Sequence, residues 1–413
     1  VISNRTVYVG LASKSDEAII PAGILKLARR GVVESSQFAY GKGFLASPIA
    51  CALNPLHLPL KNEPMSVPER RIRDGGALPL TLSDALPDDW GRKVLEAQQG
   101  RTLDDIDVLL LTNANRVGAM AFAETLPIQI NQSDKELFSL DEMSDAVRRL
   151  ELAMDIPLAM RRLLNRGGSL GGARPKADFI HDNQRWIAKF PANADDHDVE
   201  LLEAAVLELA TLCGIEVSPH KLEKIHHGHA LLLRRFDRLG DVEHERRIHY
   251  LSASALLNVP YNSNDGSYIE FAQVIRRIAA DPAHDLDQLY RRMILNLIID
   301  NTDDHVKNHG MLHVKRNQYK LAPAFDVVMQ LTNTYYQELA IVPGNNNSKL
   351  SLAIQAAPHF GINEPDARVM IEEVKQKAEQ ALLPIIEKLG GDEVLMNRVR
   401  RCLDRQLAFI HEE

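Results

Sequence analysis

No feature of the chain restricts its fold more than residues 301–310, NTDDHVKNHG, which hold two Asp, two Asn, two His and a Lys. They follow LDQLYRRMILNLIIDN, where Leu286, Leu289, Tyr290, Met293 and Leu297 recur on one face of a helix. They precede GMLHV, whose texture is that of a strand. A dense polar run therefore sits at the junction of two apolar elements, where each group needs a partner or a task.

One reading of the junction is a metal site. His305, His309 and His313 are spaced four apart, as zinc ligands on one helical face would be. Gly310 and the β-type MLHV argue against a continuing helix, and the Glu of a zinc-protease motif is missing. A second reading is a phosphoryl-transfer loop. That chemistry needs a carboxylate to orient the attacking hydroxyl, oxygen ligands for Mg²⁺, and a cation over the developing charge. Asp303 and Asn308 have the spacing of the catalytic Asp and metal-binding Asn of protein kinases. Asp326, in the strand-like YKLAPAFDVV, is the candidate for the main magnesium ligand, and His305 and Lys307 could contact phosphate oxygens. Asp304 competes with Asp303, and only the spacing to Asn308 favours Asp303. The plain alternative is a solvated turn that caps the helix.

Upstream, RGGSLGGARPKADF is a Gly-rich loop that lacks both the Walker ending and the usual kinase glycine pattern. Its glycines still allow backbone N–H groups, including those of Gly171, Gly172 and Ala173, to approach phosphates closely. Arg174 and Lys176 add positive charge. Next comes the strand RWIAKFP, in which Lys189 lies on the face opposite Trp186, Ala188 and Phe190. The helix DVELLEAAVLELATLCGI follows, with Glu203 flanking the apolar stripe of Val199, Leu202, Val206, Leu209 and Cys213. Singly, these segments read as a hairpin turn, an edge-strand lysine and a solvated glutamate. Their order carries more weight. Gly-rich loop, strand Lys, helix Glu, Asp-x4-Asn and late Asp follow one another as a kinase fold needs them.

Texture divides the chain into residues 1–125, rich in Pro and Gly with short strands; 126–236, with the loop, the Lys strand and the Glu helix; and 237–413, mostly helical. QINQSDKELFSLDEM reads as a linker running into a helix. There is no apolar run of membrane-spanning length and no visible signal peptide. Three widely spaced cysteines, Cys51, Cys213 and Cys402, fit a reducing cytoplasm better than a disulfide framework. A formal net charge of −8 argues against nucleic-acid binding on bulk charge.

SLGGARPKA, RRFDR, NTDDHVKN and PAFDV together resemble the signature segments of HipA-type serine/threonine kinases, the toxins of HipBA toxin–antitoxin modules. LPDDWGRKVL and RVGAMAF are similar to the family's N-terminal subdomain, so the resemblance covers nearly the whole chain. It implies an α+β, two-lobed, protein-kinase-like fold: a mostly β N-lobe with an added N-terminal subdomain, and a helical C-lobe. It implies ATP and Mg²⁺ as cofactors, Asp303 as catalytic base, Asn308 and Asp326 as metal ligands, and Lys189 on the ATP phosphates. Lys176 would end the loop, Ser169 would be autophosphorylated, and Glu203 would pair with Lys189. Backbone around Arg235 and Phe236 would form the hinge, with Asp237 near the ribose. The implied substrate is a protein of the translation machinery, such as an aminoacyl-tRNA synthetase. The implied partner is a HipB-type helix-turn-helix antitoxin, through which operator DNA would be reached. Two rivals stand beside this reading: a kinase of small molecules or lipids, and a catalytically vestigial corepressor.

Overall fold

The computed structural model describes residues 2–411 apart from 13–18, 88, 113–114, 130–137, 155–173, 262 and 264. The chain forms two compact units, and they do not follow the textural boundaries. The first comprises residues 1–193, 235–251 and 312–317, and the second 194–234, 252–311 and 318–413.

The first unit is built on an antiparallel sheet of five strands, β1 (Ile2–Leu11), β2 (Ile20–Arg30), β3 (Val33–Tyr40), β4 (Met65–Arg71) and β5 (Met120–Ala123), ordered β4-β3-β2-β1-β5. Alternation turns Val7, Val9, Leu25, Leu27, Phe38 and Tyr40 to one face, where they pack with Leu53, Leu82, Leu109 and Phe122. Gly23 is obligatory in this register, because a Cβ there would lie 2.4 Å from the Ala39 carbonyl oxygen. The proline-rich stretch after β3 has no long element, as its composition implies. It is tied down by Tyr40, whose hydroxyl accepts from Leu53 N–H at 2.8 Å and donates to the Leu58 carbonyl. The helix Asp89–Gln99 forms where LPDDWGRKVL places it. Ser139 and Glu142 form a capping box that starts the helix Leu140–Glu151. The linker before it falls largely on 130–137, outside the described residues. β6 (Lys176–His181) and β7 (Gln184–Lys189) then make a hairpin. Asp182 and Asn183 both take positive φ at its two-residue turn, 49° and 57°, which short polar side chains tolerate.

The second unit is mostly helical. Asp198 caps the helix Val199–Leu212, accepting from Leu201 N–H at 2.9 Å. The hairpin of β8 (His220–Ile225) and β9 (Gly228–Arg234) packs against that helix through Leu231, Leu233, Ala204 and Leu207. At the centre lies the helix Pro282–Ile298, opened by Asp281 as N-cap with proline in the first turn. It packs against the helices Glu364–Lys388 and Glu393–His411. Its heptad-like face, expected from sequence, is buried, and so are Ile294, Leu295 and Ile298 behind it. The late strand reading needs correction. Regular pairing covers Gln318–Leu321, and PAFDVV beyond it is irregular, tied by one bridge from Ala324 to Val217. Proline at 323 removes an N–H donor and stops the ladder there.

Candidate active site

The loop after the central helix is held by a chain of buried polar bonds. Helix geometry ends at Ile299, whose N–H still reaches the Leu295 carbonyl at 2.9 Å. Asp300 turns the chain with φ 56°, a left-handed conformation that Asp tolerates better than most residues. Its Oδ2 accepts from the N–H groups of Thr332 at 3.2 Å and Asn333 at 2.7 Å. Asn301 donates to Asn296 at 3.0 Å, and Asn296 donates to the Tyr268 hydroxyl at 3.0 Å. The Tyr268 hydroxyl donates to Asp304, and His309 Nε2 meets the other Asp304 oxygen at 3.0 Å.

Neighbouring aspartates therefore differ completely. Asp304 is 2% exposed, and both its oxygens are committed. Burial pushes its carboxyl up, but His309 and the Tyr268 hydroxyl outweigh this and hold it below the usual range. Asp303 is exposed, and no described residue gives its carboxylate a hydrogen bond or ion pair. Partial desolvation raises its pKa, and the carboxylates of Asp326 and Asp304 add to the rise against the opposing pull of His305. The competition between the two aspartates, open from spacing alone, is thus between a group already used as an anchor and one facing outward. Asn308 folds back under Asp303, donating from Nδ2 to the Asp303 carbonyl at 2.9 Å. That bond orients the amide and directs Oδ1 away from it.

Asp326 stands in a bend with φ 52° and is half-buried, within electrostatic reach of Asp303. His305 accepts from Lys307 N–H at 3.3 Å through Nδ1, which leaves the ring proton on Nε2. The Lys307 ammonium lies 4.6 Å from the centre of the Tyr261 ring. His309 is consumed by Asp304, and His313, on the strand Gly310–Lys315, donates from Nε2 to the Arg316 carbonyl, so no helix aligns the three histidines. Among the described residues no three His, Cys, Asp or Glu side chains are close enough to hold a metal by themselves. A Mg²⁺ that takes most of its ligands from phosphate and water needs only one or two protein oxygens, and Asn308 with Asp326 fits that demand.

In the first unit Lys176 and Lys189 are direct cross-strand partners on the β6–β7 hairpin. Cross-strand partners share a face, and both side chains are buried, so Lys189 is no exposed edge lysine. Trp90 Nε1 donates to the Lys176 carbonyl at 3.0 Å, tying the helix Asp89–Gln99 to the start of this hairpin. In the second unit Glu203 is 2% exposed, so it is not a solvated helix charge either, and Glu200, three positions earlier on the helix, is buried too.

The carboxylate of Asp237, expected near a ribose, is already engaged. Asp237 is 3% exposed, and its carboxylate accepts from Gly118 N–H at 2.7 Å, Arg235 Nε at 3.0 Å and Nη2 at 2.9 Å, and Arg238 Nη1 at 2.6 Å. Arg235 spends its remaining donors on Asp178 and on the carbonyls of Asn115 and Arg116. These side chains bolt the first unit together and have no capacity left for a ligand. Its sequence motif, RRFDR, shows which charges recur but not that they satisfy one another. Ser169, Gly171, Gly172 and Ala173 lie outside the described residues. One residue that sequence reasoning missed is Glu338, whose N–H donates to the Thr302 carbonyl at 3.1 Å. No motif marks it, and only this pairing with the loop reveals its place.

Residues 168–382 match the model of the HipA-like C-terminal domain, and residues 19–123 that of the HipA N-terminal domain. Y4mE of Sinorhizobium fredii, which carries a provisional kinase name, is 27% identical over 333 residues, 73% of each chain. A Haemophilus influenzae protein with a similar provisional name is 23% identical over 39% of this chain and 52% of its own. Among solved structures, the Shewanella oneidensis toxin–antitoxin complex of HipA, HipB and operator DNA matches with a TM-score of 0.71 and 16% identity, covering 97% of this chain and 96% of that one.

Proposed function

The chain belongs to the HipA family and has its kinase-like fold, and from that premise we propose that it is an ATP- and Mg²⁺-dependent kinase of protein serine or threonine. The observation that carries the proposal is the division of labour between Asp304, locked by Tyr268 and His309, and Asp303, held outward by the same loop. An anchored loop that presents one unengaged carboxylate of raised pKa is suited to orient an acceptor hydroxyl and take its proton.

The remaining roles follow from chemistry. Asn308 Oδ1 and Asp326 would hold Mg²⁺, which when bound neutralises charge on the nucleotide phosphates. Lys189, supported by its neighbour Lys176, would bind the α- and β-phosphates, and Glu203 would orient Lys189. Gly171, Gly172 and Ala173 would offer backbone N–H groups to the phosphates. His305 would position the loop through its ring, and Lys307 would offset charge on the transferred group. The backbone at Arg235 and Phe236 would serve as the hinge, without any part for the Asp237 side chain.

Biologically, we place the chain as a growth-inhibiting toxin that acts in the cytoplasm on a translation protein, an aminoacyl-tRNA synthetase being the leading class. Its partner would be a HipB-like antitoxin, by analogy with the Shewanella assembly, and operator DNA would be met mainly through that antitoxin. The net charge of −8 supports this indirect route. Ser169 would be autophosphorylated, adding about −1.5 to −2 charges to a phosphate-binding loop and switching it off. The test is incubation of the purified chain with γ-labelled ATP, Mg²⁺ and cell lysate. Label should enter the chain at Ser169 and at least one lysate protein. Label in small molecules or lipids alone, or nowhere, would reject the proposal.

A further inference from the structure

Asp303 is not the only carboxylate that this loop leaves open. The segment 337–340 runs alongside it, with Glu338 N–H donating to the Thr302 carbonyl at 3.1 Å and Leu339 N–H to the Asp304 carbonyl at 2.8 Å. These two carbonyls flank Asp303, so the backbone itself sets Glu338 beside Asp303. Gln337, Leu339 and Ala340 are buried while Glu338 is exposed, as Asp303 is. The segment is fixed on its other side as well. Gln337 N–H meets the Asn346 carbonyl at 2.7 Å, Gln337 Nε2 meets Ser348 at 2.9 Å, and Tyr268 N–H meets the Ala340 carbonyl at 2.9 Å.

Glu338 therefore has a defined position and no visible structural employment. Among the described residues nothing gives its carboxylate a hydrogen bond or an ion pair. Partial burial, and then the charge of Asp303, raise its pKa. Fixed like charges side by side disfavour each other, and a site that keeps them does so where an opposite charge arrives with a ligand. The Mg²⁺ proposed above would sit on Asn308 and Asp326, which leaves the Glu338 carboxylate unused. A single cation on a long flexible stem fits it. An acceptor hydroxyl on Asp303 would bring the residues next to it within reach of Glu338.

We propose that Glu338 is a specificity-determining residue that takes the ammonium or guanidinium group of a Lys or Arg adjacent to the phosphorylated Ser or Thr of the substrate. This rests on the reading of Asp303 as the group that receives the acceptor hydroxyl. Glu338 also excludes acidic neighbours, because a carboxylate there would meet two others.

The test uses the full chain with ATP and Mg²⁺ on a peptide library derived from a digested proteome, with intact lysate in parallel. Wild type should favour Lys or Arg over Asp or Glu at one position beside the acceptor by about tenfold, the worth of one well-placed ion pair. Glu338→Gln should flatten that position, and Glu338→Lys should turn it toward Asp and Glu. If Glu338→Lys does not fold, the flattening by Glu338→Gln decides. A basic preference unchanged in both variants, no charge preference in wild type, or labelling of intact lysate but of no peptide would each overturn the role of Glu338 while leaving the kinase reading in place. No label in peptides or lysate would overturn the kinase reading, and this inference with it.

Discussion

Around Arg235 in the first unit, charged side chains are packed so that donor meets acceptor. Asp237 accepts four hydrogen bonds, and its carboxyl is held far below the usual range by Arg235 and Arg238 despite complete burial. Around Asp303 in the second unit, two exposed carboxylates stand together with no ion pair to either among the described residues, and both are shifted upward by partial burial and by neighbouring carboxylates against the pull of His305. The first region uses charge to fix a fold, and the second keeps charge available. Sequence texture does not separate them, since RRFDR and NTDDHVKN are equally dense in ionisable residues. What separates them is whether each group already has a partner.

The comparison predicts opposite outcomes for similar substitutions. Asp303→Asn should lower phosphotransfer by about 10²- to 10⁴-fold, the usual contribution of a positioned general base. It should leave the melting temperature unchanged or slightly raised, because a disfavoured charge is lost. Asp237→Asn should do the reverse. It strands Arg235 and Arg238 in a buried site and should remove about 3–5 kcal/mol of stability, read by denaturant unfolding. If Asp303→Asn unfolds the protein, or Asp237→Asn leaves its stability intact, the distinction between the two regions fails.

Asp304 lies between these extremes, as a structural charge inside the functional loop. Asp304→Asn should cost about 1–3 kcal/mol through its lost bonds to Tyr268 and His309. Its folded pKa is depressed, so its contribution is present above the ordinary aspartate range and fades as pH falls through the lower folded value. The stability gap between wild type and Asp304→Asn should therefore narrow in acid. A gap that widens in acid would show that Asp304 is not held ionised.

The smallest expected effect concerns pH and rate. Asp303 must be ionised to act as a base, and its pKa is raised, so the acid limb of the rate profile should lie above about 3.9, the ordinary aspartate value. Glu338→Gln removes one like charge and should move that limb to lower pH, measured on a substrate bearing no charge beside its acceptor. An unmoved limb would mean that the two carboxylates do not sense each other.

Much of this architecture was legible in sequence because it rests on periodicity. The apolar stripes of 199–212 and 282–298 and the alternation of β1 and β7 depend on local order and survive translation into structure. The spacing of Asp303 and Asn308 was legible too, but not which aspartate faces outward. That depends on Tyr268, more than thirty residues upstream, and on Glu338 and Leu339, more than thirty downstream. The engagement of Asp237 was hidden for the same reason, since Gly118 and Asn115 satisfy that cluster from far away in sequence. The strand expected at PAFDVV gave way to a bend, where the φ of 52° at Asp326 sets the direction of its side chain.

The most direct measurement of the account is phosphotransfer by Asp303→Asn and Asp304→Asn side by side, using γ-labelled ATP and Mg²⁺, with unfolding curves on the same samples. The account predicts that Asp303→Asn is fully folded and nearly inactive, while Asp304→Asn is destabilised and keeps activity in proportion to its folded loop. A folded Asp303→Asn that transfers phosphate at the wild-type rate, beside a stable and inactive Asp304→Asn, would contradict it.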